Sequence, residues 1–198
     1  MNRDPYYIAH DFYNMDSSHT LTIIPEFRTY QQTTDYTCGP AVALMVAEYY
    51  GVQGLSEKGI TQTMRVKSPC EVETGYGTSA EQLVSFFAAL GFYTDSCTDA
   101  FDDPIMFRNW VLRNLRAYTP IMVNWIDWGG HWQIIIGYDE LSQDSITDDV
   151  IIFADPVDTT DHKQDGYYTF SAERFFYMWF DSQITKTKQQ WVIAKKLR

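Results

Sequence analysis

The apolar run from residue 41 to residue 50, Ala-Val-Ala-Leu-Met-Val-Ala-Glu-Tyr-Tyr, constrains the fold more than any other segment. As a helix it is hydrophobic on nearly every face, and a helix of that kind is buried. Gly51 follows it, as is common at a helix C-terminus. The chain must therefore build a core around this helix, and its 198 residues are ample for one.

Cys38, Gly39 and Pro40 stand directly before this run. If the run is a helix, Cys38 lies in its first turn, where free backbone N–H groups and the helix dipole stabilise a thiolate. Pro40 suits a first turn, and Gly39 removes bulk beside the sulfur, which would let a substrate approach. Taken alone, Cys38 is better explained as a buried core thiol, because free cysteine is among the most buried residue types.

The charge balance narrows the range of partners. With 26 acidic and 15 basic residues the formal net charge is -11, which disfavours nucleic acid and suits a basic peptide or a neutral small molecule. Three cysteines without paired spacing do not indicate a disulfide framework. No signal-peptide pattern and no apolar run of about 18 residues is present, so we expect a cytoplasmic protein without a membrane span.

The order of the predicted elements indicates an α+β fold, since helices dominate the first half and antiparallel strands the second. Capping residues support a helix after Gly77, with either Thr78 and Glu81 or Ser79 and Gln82 as the capping box. Further helices are predicted over 55–64, 103–118 and 171–180, and strands over 21–25, 92–94, 121–126, 131–139, 150–156, 167–170 and 190–194.

A hairpin in the second half places a histidine near an aspartate. Facing residues of an antiparallel pair have positions with a constant sum, and His131 with Asp155 centres the turn at residue 143, inside a polar loop. We therefore expect the two side chains at one end of the hairpin. An imidazole oriented by a carboxylate is the general base of a nucleophilic triad, and its charged form would keep Cys38 as the thiolate.

Other residues fit a cleft around these groups. The Gln32 amide, six residues before Cys38, can donate to a developing oxyanion together with the Cys38 N–H. Gly130 makes room for a substrate beside His131. Tyr36 and Trp132 are predicted to contact that substrate, with a wall or core position as the alternative for Trp132. A core histidine, a turn aspartate and a surface glutamine explain each residue singly, but the combination favours a catalytic site.

No metal site or cofactor is predicted. Cys70 and Cys97 with His131 match no zinc-ligand spacing. The aspartates at 155, 158, 161 and 165 do not fit a calcium loop, so a solvated acidic loop, with an exposed His162, is the better interpretation.

Three blocks of this sequence resemble those of the double-glycine, bacteriocin-leader-processing peptidases and their stand-alone relatives, within the papain-like cysteine peptidases. They are Gln32…Cys38-Gly-Pro-Ala, the stretch from Gly130 to Asp139, and Ile152-Phe-Ala-Asp155-Pro156. The resemblance implies a papain-like fold, with a helical lobe carrying Cys38 against a β lobe carrying His131 and Asp155. The resemblance covers roughly residues 24–180. From the polar and aromatic composition of residues 1–20 we expect an N-terminal arm there, followed by a single peptidase domain over residues 21–198.

The resemblance also implies roles and partners. Cys38 would be the nucleophile, His131 the general base and acid, Asp155 the group that orients it, and Gln32 the oxyanion donor. The substrate would be a peptide or peptide-like molecule. Three activities fit these residues: hydrolysis through an acyl-Cys38 intermediate, acyl or peptidyl transfer by the same triad, and peptide binding without turnover. The sequence leaves the oligomeric state open.

Overall fold

The computed structural model describes residues 10–72, 76–141, 144–159, 163–180 and 187–196. It contains five helices in this part of the chain: α1 (Cys38–Tyr49), α2 (Glu57–Met64), α3 (Ala80–Ala89), α4 (Pro104–Arg116) and α5 (Ala172–Met178). The strands are β1 (Leu21–Ile23), β2 (Phe92–Cys97), β3 (Ile121–Trp125), β4 (His131–Asp139), β5 (Val150–Ala154), β6 (Tyr167–Ser171) and β7 (Gln190–Lys196). The predicted α+β class is confirmed.

The seven strands form one antiparallel sheet, in which six follow the order β2-β7-β3-β4-β5-β6 and β1 lies off this path. The short β1 pairs with the far end of β4, from Gly137 to Asp139, beyond the part of β4 that pairs with β3. Strand β4 therefore lies at the centre of the sheet. Its nine residues are buried except for the last, which explains why the sequence there is a nearly continuous apolar run.

Helix α1 packs against β4 and against α2. Every residue from Cys38 to Ala47 is buried, as the all-round apolar run predicted. The helix ends where Gly51 takes a left-handed conformation (φ 79°) and its N–H donates to the Glu48 carbonyl at 2.8 Å. Because α1 is enclosed by the sheet and by other helices, Cys38 at its start has a rigid mounting.

The other helix starts follow their capping residues. Ser79 and Gln82 form the capping box of α3, with Ser79 accepting from the Gln82 N–H and the Gln82 side chain accepting from the Ser79 N–H. Of the two capping boxes that the sequence allowed, the structure selects this one. Asp103 caps α4 through Ile105, with Pro104 as its first residue, as predicted.

A buried polar cluster closes the β4–β5 connection. Asp149, 1% exposed, accepts hydrogen bonds from the Tyr138 hydroxyl (2.8 Å) and the Leu141 N–H (2.9 Å). The Arg108 guanidinium from α4 lies 3.9 Å from the same carboxylate. The predicted polar loop thus ends in a buried, bonded charge that ties α4 to the hairpin.

Part of the predicted N-terminal arm packs on the domain; residues 1–9 lie outside the described residues. The Phe12 ring lies 6.0 Å from the ring of Tyr167, and the Tyr13 carbonyl accepts the Glu26 N–H at 3.0 Å. None of the helices in the described part of the chain has the length and apolar composition needed to cross a membrane.

Candidate active site

Cys38 is the first residue of α1 and is 7% exposed. The preceding Thr37 carbonyl accepts the Ala41 N–H at 3.0 Å, and the Thr37 hydroxyl bonds to Thr34, which fixes the approach to the helix. A first-turn N–H has no acceptor within its own helix. The thiol and its own N–H therefore both lie at the positive end of a buried helix.

His131 begins β4, and its Nε2 lies 2.7 Å from Asp155 Oδ1. The two residues are 3% and 2% exposed. The same carboxylate oxygen accepts the Val157 N–H at 2.9 Å, so Asp155 is held by the turn that follows β5. A carboxylate acceptor makes Nε2 the donor and fixes the plane of the imidazole.

His131 also interacts with the cysteine. The imidazole interacts with Cys38 through a side-chain hydrogen bond and through charge. Since Nε2 is held by Asp155, Nδ1 is the ring nitrogen that remains for an interaction with the sulfur. The structure thus brings Cys38, His131 and Asp155 into one connected line.

The contact between His131 and Asp155 is predicted correctly, but the pairing behind it is wrong. The observed partners are Ile134 with Ala154 and Ile135 with Phe153, and a bulge follows before Gly137. Continued by one residue, this register sets Asp155 opposite Gln133 rather than His131. The two side chains meet as diagonal neighbours, which long side chains can do across a sheet.

The electrostatics of the pair favour its charged form. Burial lowers the pKa of His131, but the hydrogen bonds and charges of Asp155 and Cys38 outweigh it and raise this pKa to about 10. Burial likewise tends to raise the pKa of Asp155, but the hydrogen bond and charge of His131 and two backbone N–H groups bring it below its usual value. At neutral pH His131 is therefore an imidazolium held between two acidic groups.

Gln32 lies on the segment leading to α1. Its side-chain Nε2 donates to the Thr34 carbonyl at 2.7 Å, which uses one of its two N–H groups. Its backbone N–H donates to the Pro156 carbonyl at 2.8 Å, directly after Asp155. The Gln32 segment is thus bonded to the turn that carries the aspartate.

Glu57 fixes the other side of that segment, and sequence reasoning did not identify it. It is 3% exposed at the first position of α2, and its carboxylate accepts the Tyr30 hydroxyl (3.1 Å) and the Thr33 N–H (3.0 Å). These bonds flank Gln32 on both sides in the sequence. No spacing or motif links Glu57 to Thr33, so only the fold reveals the contact.

Two residues predicted to bind substrate are placed differently. The Cβ side of Gly39 faces the Thr78 side chain, and an added Cβ would lie 2.3 Å from it. The space beside Gly39 is therefore filled by protein and gives no room to a substrate. Trp132 is fully buried, and its indole N–H donates to the Thr78 carbonyl at 2.8 Å. It is a core residue, because the alternation of β4 turns it toward the helices.

The other two residues predicted to contact substrate stand next to Cys38 and His131 in the sequence. Tyr36 is partly buried two residues before Cys38. Gly130 is partly exposed directly before His131, with φ 154°. Their contact with substrate stays a prediction.

Asp127 is a second carboxylate near His131 that the sequence interpretation missed. It begins a short 3-10 turn, Asp127–Gly129, and interacts electrostatically with both His131 and Asp155. Burial and the nearby charge of Asp155 raise its pKa above the usual value, although the positive His131 opposes this. The available signal was its position four residues before His131 in a Gly-rich turn.

The acidic loop after Asp155 is only partly solvated. Asp158 is 4% exposed and accepts the Gly166 N–H at 2.7 Å, so a solvated loop is wrong for this residue. Asp165 pairs with Lys163 at 3.0 Å near the surface. Asp161 and His162 lie outside the described residues. Within the described ranges no group of three or more His, Cys, Asp or Glu side chains could hold a metal ion, and Cys38, Cys70 and Cys97 are all free thiols.

A match to a known protein family covers the segment that carries Cys38, His131 and Asp155. A family model described as papain-like cysteine protease AvrRpt2 matches residues 17–174. The chain belongs to this family. The matched segment spans Cys38, His131 and Asp155 and includes the whole of β4 and β5. No curated protein sequence matches the chain.

Solved structures of papain-like peptidase domains share its fold. The peptidase domain of Streptococcus ComA, a bifunctional ABC transporter involved in quorum sensing, superposes with a TM-score of 0.57 at 20% identity, covering 86% of this chain and 99% of that one. A double glycine motif protease from an AMS/PCAT transporter, solved in complex with the leader peptide, gives a TM-score of 0.53 at 15% identity, covering 91% and 97%. The TM-scores indicate a common fold, and at identities this low the comparison supports the fold alone.

The predicted membership of the papain-like cysteine peptidases is confirmed, and the chain is a cysteine peptidase by family. The double-glycine peptidases named from the sequence blocks are its structural neighbours, whereas the matching family model is that of AvrRpt2.

Proposed function

We propose that this peptidase cleaves a peptide bond through an acyl-Cys38 thioester, with His131 as general acid and base and Asp155 orienting it. The observation that carries the proposal is that the two sides of the His131 ring have different partners. Nε2 is held by Asp155, which leaves Nδ1 for the Cys38 sulfur. This is the arrangement of nucleophile, base and orienting group that covalent catalysis requires.

The proposed reaction begins with attack of the Cys38 thiolate on the scissile carbonyl carbon. The C–S bond forms and the carbonyl oxygen becomes an oxyanion. The Cys38 N–H, unpaired within α1, and the second Nε2 N–H of Gln32 donate to it. His131 then gives its Nδ1 proton to the leaving nitrogen, the C–N bond breaks, and the thioester remains on Cys38.

Hydrolysis completes the cycle. Neutral His131 takes a proton from water, the hydroxide attacks the thioester, and the C–S bond breaks to release the acid. Asp155 stabilises the imidazolium that forms in this step, as the raised pKa of His131 indicates. A peptide substrate is supported by the leader peptide bound to the double glycine motif protease of the same fold.

Alkylation of the three free cysteines tests the activated thiol. Near pH 6 we expect iodoacetamide to modify Cys38 at least about tenfold faster than the exposed Cys70 and Cys97, because a thiolate reacts and a thiol does not. In His131→Ala this advantage should disappear. Peptide mapping by mass spectrometry gives the three rates within one sample, and a Cys38 rate no higher than those of its internal controls overturns the proposal.

A proteome-derived peptide mixture tests turnover. New termini should appear with the wild-type protein and be absent with Cys38→Ser. When an amine is added, incorporation of that amine into the product in place of water identifies acyl transfer, whereas free carboxyl termini identify hydrolysis. Alkylation without any change in the peptides points to a binding module and contradicts the proposed activity.

A further inference from the structure

The segment that carries Gln32, residues 29–34, is neither helix nor strand. Its backbone groups therefore find their partners in other parts of the fold. The Gln32 N–H donates to the Pro156 carbonyl at 2.8 Å, and the Tyr30 N–H lies 3.1 Å from the Met45 sulfur of α1. Bonds that leave the segment, and not a regular element, consequently set the position of the Gln32 side chain.

Glu57 holds the same segment from α2. Its Oε1 accepts the Thr33 N–H at 3.0 Å, and its Oε2 accepts the Tyr30 hydroxyl at 3.1 Å. Both oxygens of one carboxyl group are thus used by residues that stand on either side of Gln32 in the sequence. Because α2 packs against α1, these bonds also tie the segment to the helix that begins at Cys38.

The burial of Glu57 is costly for an acidic side chain. It is 3% exposed, and none of the ion pairs within the described ranges includes it. A buried polar group is tolerated when it is hydrogen-bonded, and the first turn of a helix favours an acidic side chain. An apolar side chain could fill this space, but it could not accept the Thr33 N–H. The bonds to the Gln32 segment therefore explain why an acid stands here.

An oxyanion hole requires donors that are in place before the charge develops. A displacement of about 1 Å in an active site can cost about 100-fold in rate. The bond from Gln32 Nε2 to the Thr34 carbonyl lies within the segment, so it moves with the segment and does not anchor the amide to the rest of the protein. Anchoring has to come from bonds that leave the segment, and Glu57 makes two of them.

We propose that Glu57 is a positioning residue of this peptidase, which holds Gln32 so that its second Nε2 N–H points at the oxyanion. The inference rests on the proposed function, because it assumes that Gln32 donates to the oxyanion. It adds a residue from α2, outside the three sequence blocks that carry the catalytic groups. Glu57 acts through Tyr30 and Thr33 and does not contact the reacting atoms.

A double-mutant cycle with Gln32 tests this role. On a peptide that the proteome-derived mixture identifies as a substrate, Glu57→Ala should lower kcat by about 10- to 100-fold, because the donor is displaced and not removed. KM should change little, since the oxyanion forms only during the reaction. In a Gln32→Ala background the same change should cost no more than about a further twofold, because the donor that Glu57 positions is already absent.

Two variants provide the comparison. In Glu57→Gln the amide oxygen can still accept the Thr33 N–H and the amide nitrogen can donate to the Tyr30 hydroxyl oxygen, so kcat should stay within about threefold of the wild type. Glu81→Ala is the matched control, because it removes an exposed glutamate from the first turn of α3. As a surface substitution it should keep kcat within about twofold.

Iodoacetamide separates a positioning role from a general loss of structure. The reactivity of Cys38 depends on its thiolate, which His131 and not Gln32 stabilises, so Glu57→Ala should keep at least about half of the wild-type alkylation rate. A parallel loss of alkylation and kcat overturns the proposal. If circular dichroism shows that Glu57→Ala does not fold, Tyr30→Phe takes its place in the cycle: it removes one of the two bonds and should cost about 3- to 10-fold in kcat when Gln32 is present.

The outcomes distinguish the two proposals. Turnover by the wild type no greater than that of Cys38→Ser refutes the proposed function, and this inference with it. Normal turnover with an unchanged kcat in Glu57→Ala, or with losses that multiply in the double variant, refutes the positioning role alone. A loss of kcat that Glu57→Gln largely restores, and that disappears in the absence of Gln32, supports it.

Discussion

Gln32 is the residue whose proposed role can be isolated most cleanly. Its backbone is bonded to Pro156, and its side-chain amide keeps one N–H beyond the bond to Thr34. If that N–H stabilises the oxyanion, Gln32→Ala should lower kcat by about 100- to 1000-fold, the usual loss for one such donor. KM should change little, because the interaction strengthens only in the transition state.

Gln31 provides the control for this variant. It is the same residue type one position earlier and is exposed. Gln31→Ala should keep kcat within about twofold, as expected of a surface substitution. Steady-state kinetics on any peptide found by the cleavage screen measures both variants, and an equal effect of the two would exclude a specific oxyanion role for Gln32.

The His131–Asp155 pair makes stability depend on pH in two opposite directions. The pKa of His131 is raised from 6.5 to about 10 in the folded protein, so its contribution is complete below 6.5 and is lost as the pH rises through about 10. The pKa of Asp155 is lowered from 3.8, so its contribution is present above that value and is lost as the pH falls through the folded value. The pair should stabilise the protein most between these limits.

Urea unfolding measures this dependence against a variant that lacks the pair, His131→Gln with Asp155→Asn. The difference in free energy of unfolding should be flat from about pH 5 to 6.5 and then shrink by at most about 1.4 kcal/mol per pH unit toward pH 10. A difference that stays flat from about pH 6.5 to 10 would mean that His131 is neutral in the folded state.

At the scale of single residues the sequence predicted the contact of His131 with Asp155 but not the surroundings of Gly39 and Trp132. Cys38, His131 and Asp155 are placed together, because a nucleophile, a base and an acid stand at recognisable element boundaries. Gly39 and Trp132 are misassigned, since the sequence cannot tell whether the space beside a residue faces solvent or another helix. The Thr78 side chain fills the space beside Gly39, and the Thr78 carbonyl accepts the Trp132 indole N–H. Nothing in the sequence marks Thr78 as the partner of either residue.

The junction of α1 and α3 depends on the absence of a side chain at Gly39. An added Cβ would lie 2.3 Å from Thr78, which is 1% exposed at the start of α3. We expect Gly39→Ala to lower the free energy of unfolding by about 1–3 kcal/mol, the range for overpacked cores. Adding Thr78→Gly should recover part of the loss.

Gly59→Ala in the short helix α2 is the matched control, because the Ser56 hydroxyl oxygen would lie 3.2 Å from the added Cβ. Thermal denaturation should separate the two alanines clearly. If Gly39→Ala kept its stability and only raised KM, the space beside Gly39 would belong to the substrate after all.

Element boundaries were predicted closely where the sequence carries a capping residue or a long apolar run. The α4 start at Asp103, the α5 start after Ser171 and the whole of β4 are examples. The register between β4 and β5 was not predicted correctly: the observed partners lie two to three positions away from the predicted pairing, and the bulge between Ile135 and Gly137 shifts it by only one. A long polar loop leaves the register open, because in hairpins the register follows from turn type and loop length. Gly137 was the sequence signal for the bulge, since a Cβ at this position would lie 2.9 Å from the Ile152 side chain.

The whole sheet is completed by the last described segment of the chain. Strand β7 lies between β2 and β3, and Phe92 pairs with Lys196 across more than half of the sequence. A chain ending at Gln189 should therefore leave two unpaired edges inside the sheet and lose cooperative unfolding. A chain ending at Lys196 keeps β7 and is the control.

Circular dichroism during urea titration compares the two chains. The shorter chain should lose its near-ultraviolet signal and bind a hydrophobic dye, as expected when the backbone groups and the apolar face of an inner strand are exposed. A sharp transition for the shorter chain would show that β2 and β3 close the sheet without β7.

At the level of the molecule the α+β class followed from the order of the elements, but the strand order did not. Non-local pairs such as β2 with β7 have no signature in either strand. The buried Asp149 has the same origin: in the sequence it belongs to a polar loop, and only the approach of Arg108 and Tyr138 makes burial of its charge acceptable.

The interior place of β7 has a genetic consequence. Its codons come after those of every catalytic group named above, so a stop codon at position 189 spares Gln32, Cys38, His131 and Asp155 and still removes an inner strand. Such an allele should behave as a null, because the misfolded product is cleared by cellular quality control. Missense alleles that change the solvent-exposed positions of strand β2 should be silent. Screening nonsense and missense alleles along the gene would therefore map the sheet as well as the active site.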